Sequence, residues 1–250
     1  MRQSYTLWFS QRNGSSVLAQ ALCDTGIAGL PGEHFLTDRP LRKHFQVASG
    51  PALLEAVEAI ASTSNGVIAF KQNAISPTFR QNLLAGFEGV PGIHQNLSSL
   101  DIWETLFPHH QHIFLTRRNK VRQVVSWWKA IQTQEWHRKT GSQRPYSPDD
   151  IRDNYDPDAL HHLLKEVIAR EAALQEMLSS RNRTALSLVY EDFVQDFPAT
   201  VKRILTHLNL DHHAYDLPKA SLAPLADELS EEWVARFRKD LQKGWGNIAW

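Results

Sequence analysis

The apolar run Tyr5-Thr6-Leu7-Trp8-Phe9 passes straight into Ser10-Gln11-Arg12-Asn13-Gly14-Ser15-Ser16 and then Val17-Leu18, and few folds accommodate that order. It reads as a buried strand, a tight turn holding a cation and a glycine, and a helix whose first residues are two serines. The N–H groups of a helix start are unsatisfied and carry the positive end of the macrodipole, so this turn is an anion cradle ringed by Arg12 and two hydroxyls. A Walker loop needs Gly, four residues, then Gly-Lys-Ser/Thr; the turn supplies no Gly-Lys pair, so an ordinary ATP or GTP loop is not expected. The plainer alternative is that Ser15 or Ser16 caps a helix and does nothing more.

Further along, strand-like runs alternate with helical patterns, which predicts an α/β fold with a mainly parallel central sheet flanked by helices. After Tyr5–Phe9, strands are expected at Gly66–Lys71, His112–Thr116 and Thr184–Tyr190. Helices are expected at Ser15–Asp24, Pro51–Ser62, Ser99–Phe107, Lys120–His137, Pro157–Ser180, Pro198–Leu208 and Glu231–Gln242. The fifth of these has the strongest start signal, Asp156 as N-cap and Pro157 in the first turn. Asp38–Gly50 and Gly141–Tyr155 read as surface loops. With no repeat and no low-complexity tract, one domain over residues 1–250 is the economical reading. Arg12, Lys71, Arg117 and Glu191 all fall at strand ends, and in an open α/β sheet ligands bind outside the carboxyl ends of the strands.

The 27 basic and 27 acidic residues cancel, so no global field points to nucleic acid or an anionic membrane, and an anionic ligand must be held by local cations. Cys23 is the only cysteine, which excludes an internal disulfide and fits a reducing cytoplasm. No signal-peptide pattern opens the chain, and no apolar run approaches the ~20 residues that span a bilayer. A cytoplasmic protein is expected, with no transmembrane segment and no nucleic-acid partner.

A second anion signal is Thr116-Arg117-Arg118-Asn119-Lys120, leading into a helix whose Val121, Val124, Val125 and Trp128 repeat at core spacing. Ser126, two turns beyond Asn119, can project toward the side where the arginines emerge. An Arg fork and a hydroxyl converging on one anion hold a phosphate monoester with specificity. Spacing does not choose between Arg117 and Arg118. His109-His110-x-His112 lacks helical spacing and cysteine partners, so a metal site is not expected there. His161-His162 and His212-His213 read as solvent-facing pairs, and Cys23 as a small core residue. Trp136, beyond the apolar stripe, is the tryptophan best placed to meet a ligand.

The two cradles, with Leu188-Val189-Tyr190-Glu191-Asp192-Phe193 after them, resemble a sulfotransferase that uses 3′-phosphoadenosine 5′-phosphosulfate (PAPS). More narrowly, Ser10–Ser15, Gly26-Ile27-Ala28-Gly29, Glu33-His34-Phe35, Trp127–Trp136 and the tail Ser230-Glu231-Glu232-Trp233-Val234-Ala235-Arg236-Phe237 resemble the bacterial trehalose 2-sulfotransferase family. The likeness covers most of the chain. It departs at Ser16, where the family often has threonine, and at Leu222–Leu229, which lacks the family's Arg and Asn residues, so the acceptor is left open.

The resemblance implies a P-loop-like nucleotide site in which Arg12, Asn13, Gly14, Ser15 and Ser16 form the 5′-phosphosulfate loop, and Arg117 and Ser126 clamp the 3′-phosphate. It makes Glu33 the base that takes the acceptor's proton and Lys71 a second cation near the transferring group. Glu33, His34 and Trp136 are the acceptor-side candidates, and Glu191-Asp192 follows a structural tyrosine rather than binding Mg²⁺. It also implies PAPS as donor, 3′-phosphoadenosine 5′-phosphate (PAP) as product, no metal, a sugar, glycoconjugate or small-metabolite hydroxyl as acceptor, and room for a homodimer. Chemistry agrees: sulfuryl transfer, like phosphoryl transfer, is an in-line displacement in which the protein mainly positions groups and stabilises charge. The alternatives are an ATP-dependent small-molecule kinase of P-loop-like fold, or an inert nucleotide-binding protein.

Overall fold

The computed structural model describes residues 3–73, 78–211 and 222–246. Its framework is a sheet of β1 (Ser4–Phe9), β2 (Ile68–Asn73), β3 (Gln111–Thr116) and β4 (Ala185–Val189), all parallel, in the order β2-β1-β3-β4. Every residue of β1 is buried, as a central strand covered on both faces must be. Alternation along β1 sends Tyr5 and Leu7 to one face and Trp8 to the other. The first face packs on α1 (Ser15–Asp24) and α10 (Phe197–His207) through Leu18, Leu22, Val201 and Ile204. The second packs on α3 (Gly50–Ala61), α4 (Phe79–Gly86) and α5 (Ser99–Leu106) through Leu53, Phe79 and Trp103. A third cluster, built on Val124, Leu163, Val167, Trp233 and Phe237, joins α6 (Lys120–Thr133), α8 (Pro157–Ser179) and α11 (Glu228–Leu241).

The chain leaves β1 for β2 on one side and later places β3 on the other, so the strand order reverses at the carboxyl end of β1. That crevice is where an open α/β sheet takes its ligand. The register sets Phe9 beside Asn73 and Leu115, and Thr116 beside Val189. The turns after β1, β3 and β4 therefore open on one edge.

Several element ends differ from the sequence expectation. The helix expected over Lys120–His137 stops at Thr133, because Gln134 turns left-handed at φ 56° and ends the hydrogen-bond ladder. Trp136 and His137 thus leave the helix. The presumed loop Asp38–Gly50 contains a short α2 (Leu41–His44), and the loop Gly141–Tyr155 contains α7 (Pro148–Ile151), started by a Ser147–Asp150 capping box. Helix α4 has no counterpart in the sequence reading. Short α9 (Tyr190–Phe193) continues directly from β4. Among the described residues no helix is long and apolar enough to cross a membrane.

Candidate active site

The turn after β1 folds through two left-handed residues, Arg12 at φ 64° and Gly14 at φ 86°. Gly14 is held to glycine twice over. Its φ is one that side chains rarely adopt, and a Cβ there would lie 2.6 Å from Phe193 Cζ and 2.7 Å from Tyr190 Cδ2. Gly14 is itself the N-cap of α1 and supplies no side-chain cap, so Ser15 and Ser16 are first-turn residues and the capping alternative does not hold. Asn13 is fully buried; its Nδ2 donates to Leu115 O at 2.5 Å and its Oδ1 accepts from Ser15 N at 3.3 Å, which staples the turn to β3.

Beneath the turn, Glu171 of α8 fastens the ends of β1 and β3 together. It accepts from Ser10 Oγ at 2.5 Å, from Thr116 Oγ1 at 2.7 Å and from Lys120 Nζ at 2.7 and 2.8 Å. Gln123 donates to Ser10 Oγ at 2.8 Å and to Gln11 O at 2.7 Å. Neither Glu171 nor Gln123 was among the sequence candidates. Both are polar residues on otherwise amphipathic helices, a pattern that does not separate a buried anchor from a solvated side chain.

On this platform a cavity of about 1030 Å³ opens at the strand ends. Arg12, Gly14, Ser15, Ser16, Glu33, Lys71, Arg117, Ser126 and Trp136 all line it. Arg12 Nε donates to Ser126 Oγ at 3.1 Å, and its Nη1 to Trp136 O at 2.5 Å. Arg117 lies over the Tyr190 ring, 4.5 Å from the centroid, and donates to Arg12 O at 3.2 Å. Two guanidiniums are thus held in one partly desolvated space. Burial, and then the charge of Arg117, lower Arg12 to about 10, still protonated at neutral pH. Burial likewise lowers Arg117, whose Nε is enclosed without a hydrogen-bond partner, 3.8 Å from Glu191 Oε1. Arg118 points elsewhere, 63% exposed and paired with Asp192 at 3.0 Å. Glu191 accepts from the backbone N–H of Arg118 and Asn119 at 2.8 and 3.0 Å; burial would raise its pKa, but these bonds outweigh it and hold the carboxylate low. Glu191 closes the turn into α6, and Asp192 is spent on Arg118.

In the same cavity, Lys71 Nζ donates to Glu33 Oε1 at 2.7 Å and to Ser16 Oγ at 2.8 Å. The segment carrying Glu33 is brought there by a parallel bridge from Gly32 to Phe70, with Lys71 N donating to Gly32 O at 3.0 Å. It can approach β2 so closely because Gly29, at φ 72°, has no side chain: a Cβ would sit 2.6 Å from Ala69 Cβ. His34 turns off the cavity wall, with Nε2 donating to Leu30 O at 3.2 Å and its ring edge-on to Phe70. His137, which the overlong helix concealed, lines the cavity 3.4 Å from Ser16 Oγ. Burial, then Lys71 and Arg12, lower its pKa, so it is neutral at neutral pH.

Two further histidines, His110 and His112, serve the interior. His110 Nε2 accepts from Trp103 Nε1 at 2.9 Å, and His112 Nδ1 accepts from Trp8 Nε1 at 3.0 Å. Among the described residues no group of three or more His, Cys, Asp or Glu is arranged to hold a metal. His212 and His213 lie outside the described residues. Cys23 is half-buried.

Against known proteins, the Stf0 sulphotransferase family model matches residues 4–240. Two curated relatives are trehalose 2-sulfotransferases. That of Mycolicibacterium smegmatis is 24% identical over 96% of each chain, and that of Mycobacterium tuberculosis is 25% identical over 94% of each. Among solved structures, a sulfotransferase from Alicyclobacillus acidocaldarius superposes with a TM-score of 0.50 at 14% identity, covering 97% of this chain and 94% of that one, a likeness of fold.

Proposed function

Since this chain belongs to the Stf0 sulphotransferase family and is a sulfotransferase, we propose that its strand-end cavity binds PAPS and transfers the sulfuryl group to a hydroxyl of a sugar or small metabolite. The observation that carries the reading is one cavity with a cationic end and a proton-accepting end. Arg12, Arg117 and Ser126 gather beside the uncapped start of α1, and the Lys71–Glu33 pair stands at 2.7 Å on the same wall. A donor with phosphates at both 3′ and 5′ positions fits such a set.

In this reading Arg117 and Ser126 hold the 3′-phosphate. The main chain of Asn13 and Gly14, the hydroxyls of Ser15 and Ser16, and Arg12 surround the 5′-phosphate end. Asn13 contributes backbone only, its side chain being committed to β3. The bound donor supplies an activated sulfuryl group; the remaining work belongs to this chain. Glu33 accepts the proton of the attacking hydroxyl, and its bond from Lys71 to Oε1 leaves Oε2 for that task. Arg12, Lys71 and the helix N-terminus stabilise the charge left on the departing phosphate oxygen without reorganising. These cations suffice for that charge, so no divalent metal is called for. The acceptor of the trehalose relatives makes a carbohydrate hydroxyl the leading class.

Calorimetry with EDTA-treated protein tests the proposal. PAP is expected to bind without metal, and the same metal-free protein to turn PAPS over when a hydroxyl acceptor is supplied. Binding of ATP–Mg²⁺ with no binding of PAP would replace this reading with the kinase one, and PAP binding with no turnover on any hydroxyl acceptor would make the protein an inert binder.

A further inference from the structure

Around Glu33 the cavity sets a hydrogen-bonded polar cluster beside two open apolar side chains. Lys71 donates to Glu33 and Ser16, and Ser16 lies within reach of His137. Beside them, Leu36 is 68% exposed and Trp136 38% exposed, and both line the cavity. Leu36 N donates to Glu33 O at 3.0 Å, which fixes the leucine one turn from the carboxylate. Trp136 is fixed through its carbonyl, held by Arg12 at 2.5 Å.

This wall suits some acceptors and penalises others. Sugar hydroxyls pressed against the Leu36 side chain lose water and find no partner on it, and an unpaired desolvated hydroxyl is costly. A hydroxyl carried beside an alkyl or aryl group satisfies both surfaces: its oxygen meets Glu33 while the apolar part covers Leu36 and Trp136, removing their surface from water.

We infer that the acceptor is amphipathic, a hydroxyl borne beside an apolar substituent such as the alkyl or aryl group of a glycoside, and that Leu36 and Trp136 select it. The inference rests on the reading of Glu33 and Lys71 as the point of transfer. It narrows the acceptor class within that reading.

The test compares hexyl β-glucoside with methyl β-glucoside, which share every hydroxyl and differ only in the alkyl chain. Their binding to the PAP-saturated protein is measured by calorimetry, with sulfation from PAPS followed alongside. The hexyl compound is expected to bind tighter by about tenfold or more, as burial of several methylenes requires. Leu36→Asn should remove most of that preference, and Leu36→Met should restore it. Equal affinities, or a preference that Leu36→Asn leaves intact, would overturn the inference. If PAP itself fails to bind, the donor reading falls; the glucoside pair measured on the ligand-free protein still decides the wall's preference. PAP affinity of each variant reports whether the donor end is intact.

Discussion

The Arg117 guanidinium stacks on Tyr190 and donates to the carbonyl of Arg12, so one side chain ties the turn after β3 to the turn after β1. Its neighbour Arg118 has the same chemistry and none of the position, being drawn outward by Asp192. Both lie in the turn after β3, and only the first of the pair lines the cavity. Arg117→Ala should therefore weaken PAP by about 1.5–3 kcal/mol, the usual worth of a charge-assisted hydrogen bond. AMP, which lacks the 3′-phosphate, should lose much less. Equal losses for the two ligands would detach Arg117 from the 3′-phosphate.

At the scale of elements, the site depends on how α8 pins the ends of β1 and β3. Glu171 is buried and accepts from groups on both strands' turns and from Lys120 of α6. Glu171→Gln leaves the Lys120 ammonium without its counter-charge in a low-dielectric setting, which should cost about 3 kcal/mol of stability. PAP binding should weaken with it, because Ser10 and Thr116 lead into the Arg12 and Arg117 turns. Urea denaturation and calorimetry on the same variant check both, and an unchanged midpoint would remove the anchor role. Much of this architecture was legible in the sequence. The four strands, α1 and the start of α8 were readable because apolar runs, Gly14 and the Asp156-Pro157 cap are local signals. What was missed was not local. Helix α4 is held by Phe79 and Leu83 packing into the sheet's core, and the early end of α6 turns on the left-handed Gln134, a residue with no strong preference for that state. Because of that turn His137 faces the cavity, which a continuous helix would not have indicated. Glu33 was named from a family resemblance; its pairing with Lys71 depends on Gly29 letting a distant loop lie against β2, and periodicity carries no such information.

For the molecule as a whole, the buried histidines between β1, β3 and α5 set the response to acid. Burial, only partly offset by Glu104, lowers His112 to about 4, and burial, then the neighbouring His112, lowers His110 well below its ordinary value. Both are neutral in the fold and can take up a proton once unfolded. The unfolded state therefore binds more protons as pH falls below about 6.5, and stability declines from there. For His112 alone the loss is about 1.4 kcal/mol per pH unit, reaching about 3 kcal/mol near pH 4, where the folded protein begins to protonate as well. Denaturation midpoints at stepped pH should show the decline, and His112→Gln should flatten it by one proton. A wild-type stability that is level from pH 7 to 5 would contradict the buried neutral pair.

The central claim is that one cavity holds the sulfuryl donor at one end and withdraws the acceptor's proton at the other, through Glu33. Glu33→Gln keeps the size of the side chain and much of its bonding to Lys71 but cannot take a proton. Turnover and PAP affinity measured on this variant, side by side with the wild type, separate chemistry from binding. The account predicts that turnover falls by roughly 10²–10⁴ while PAP affinity stays within a factor of a few. Full turnover in Glu33→Gln, on an acceptor whose sulfated group is a hydroxyl, would contradict it.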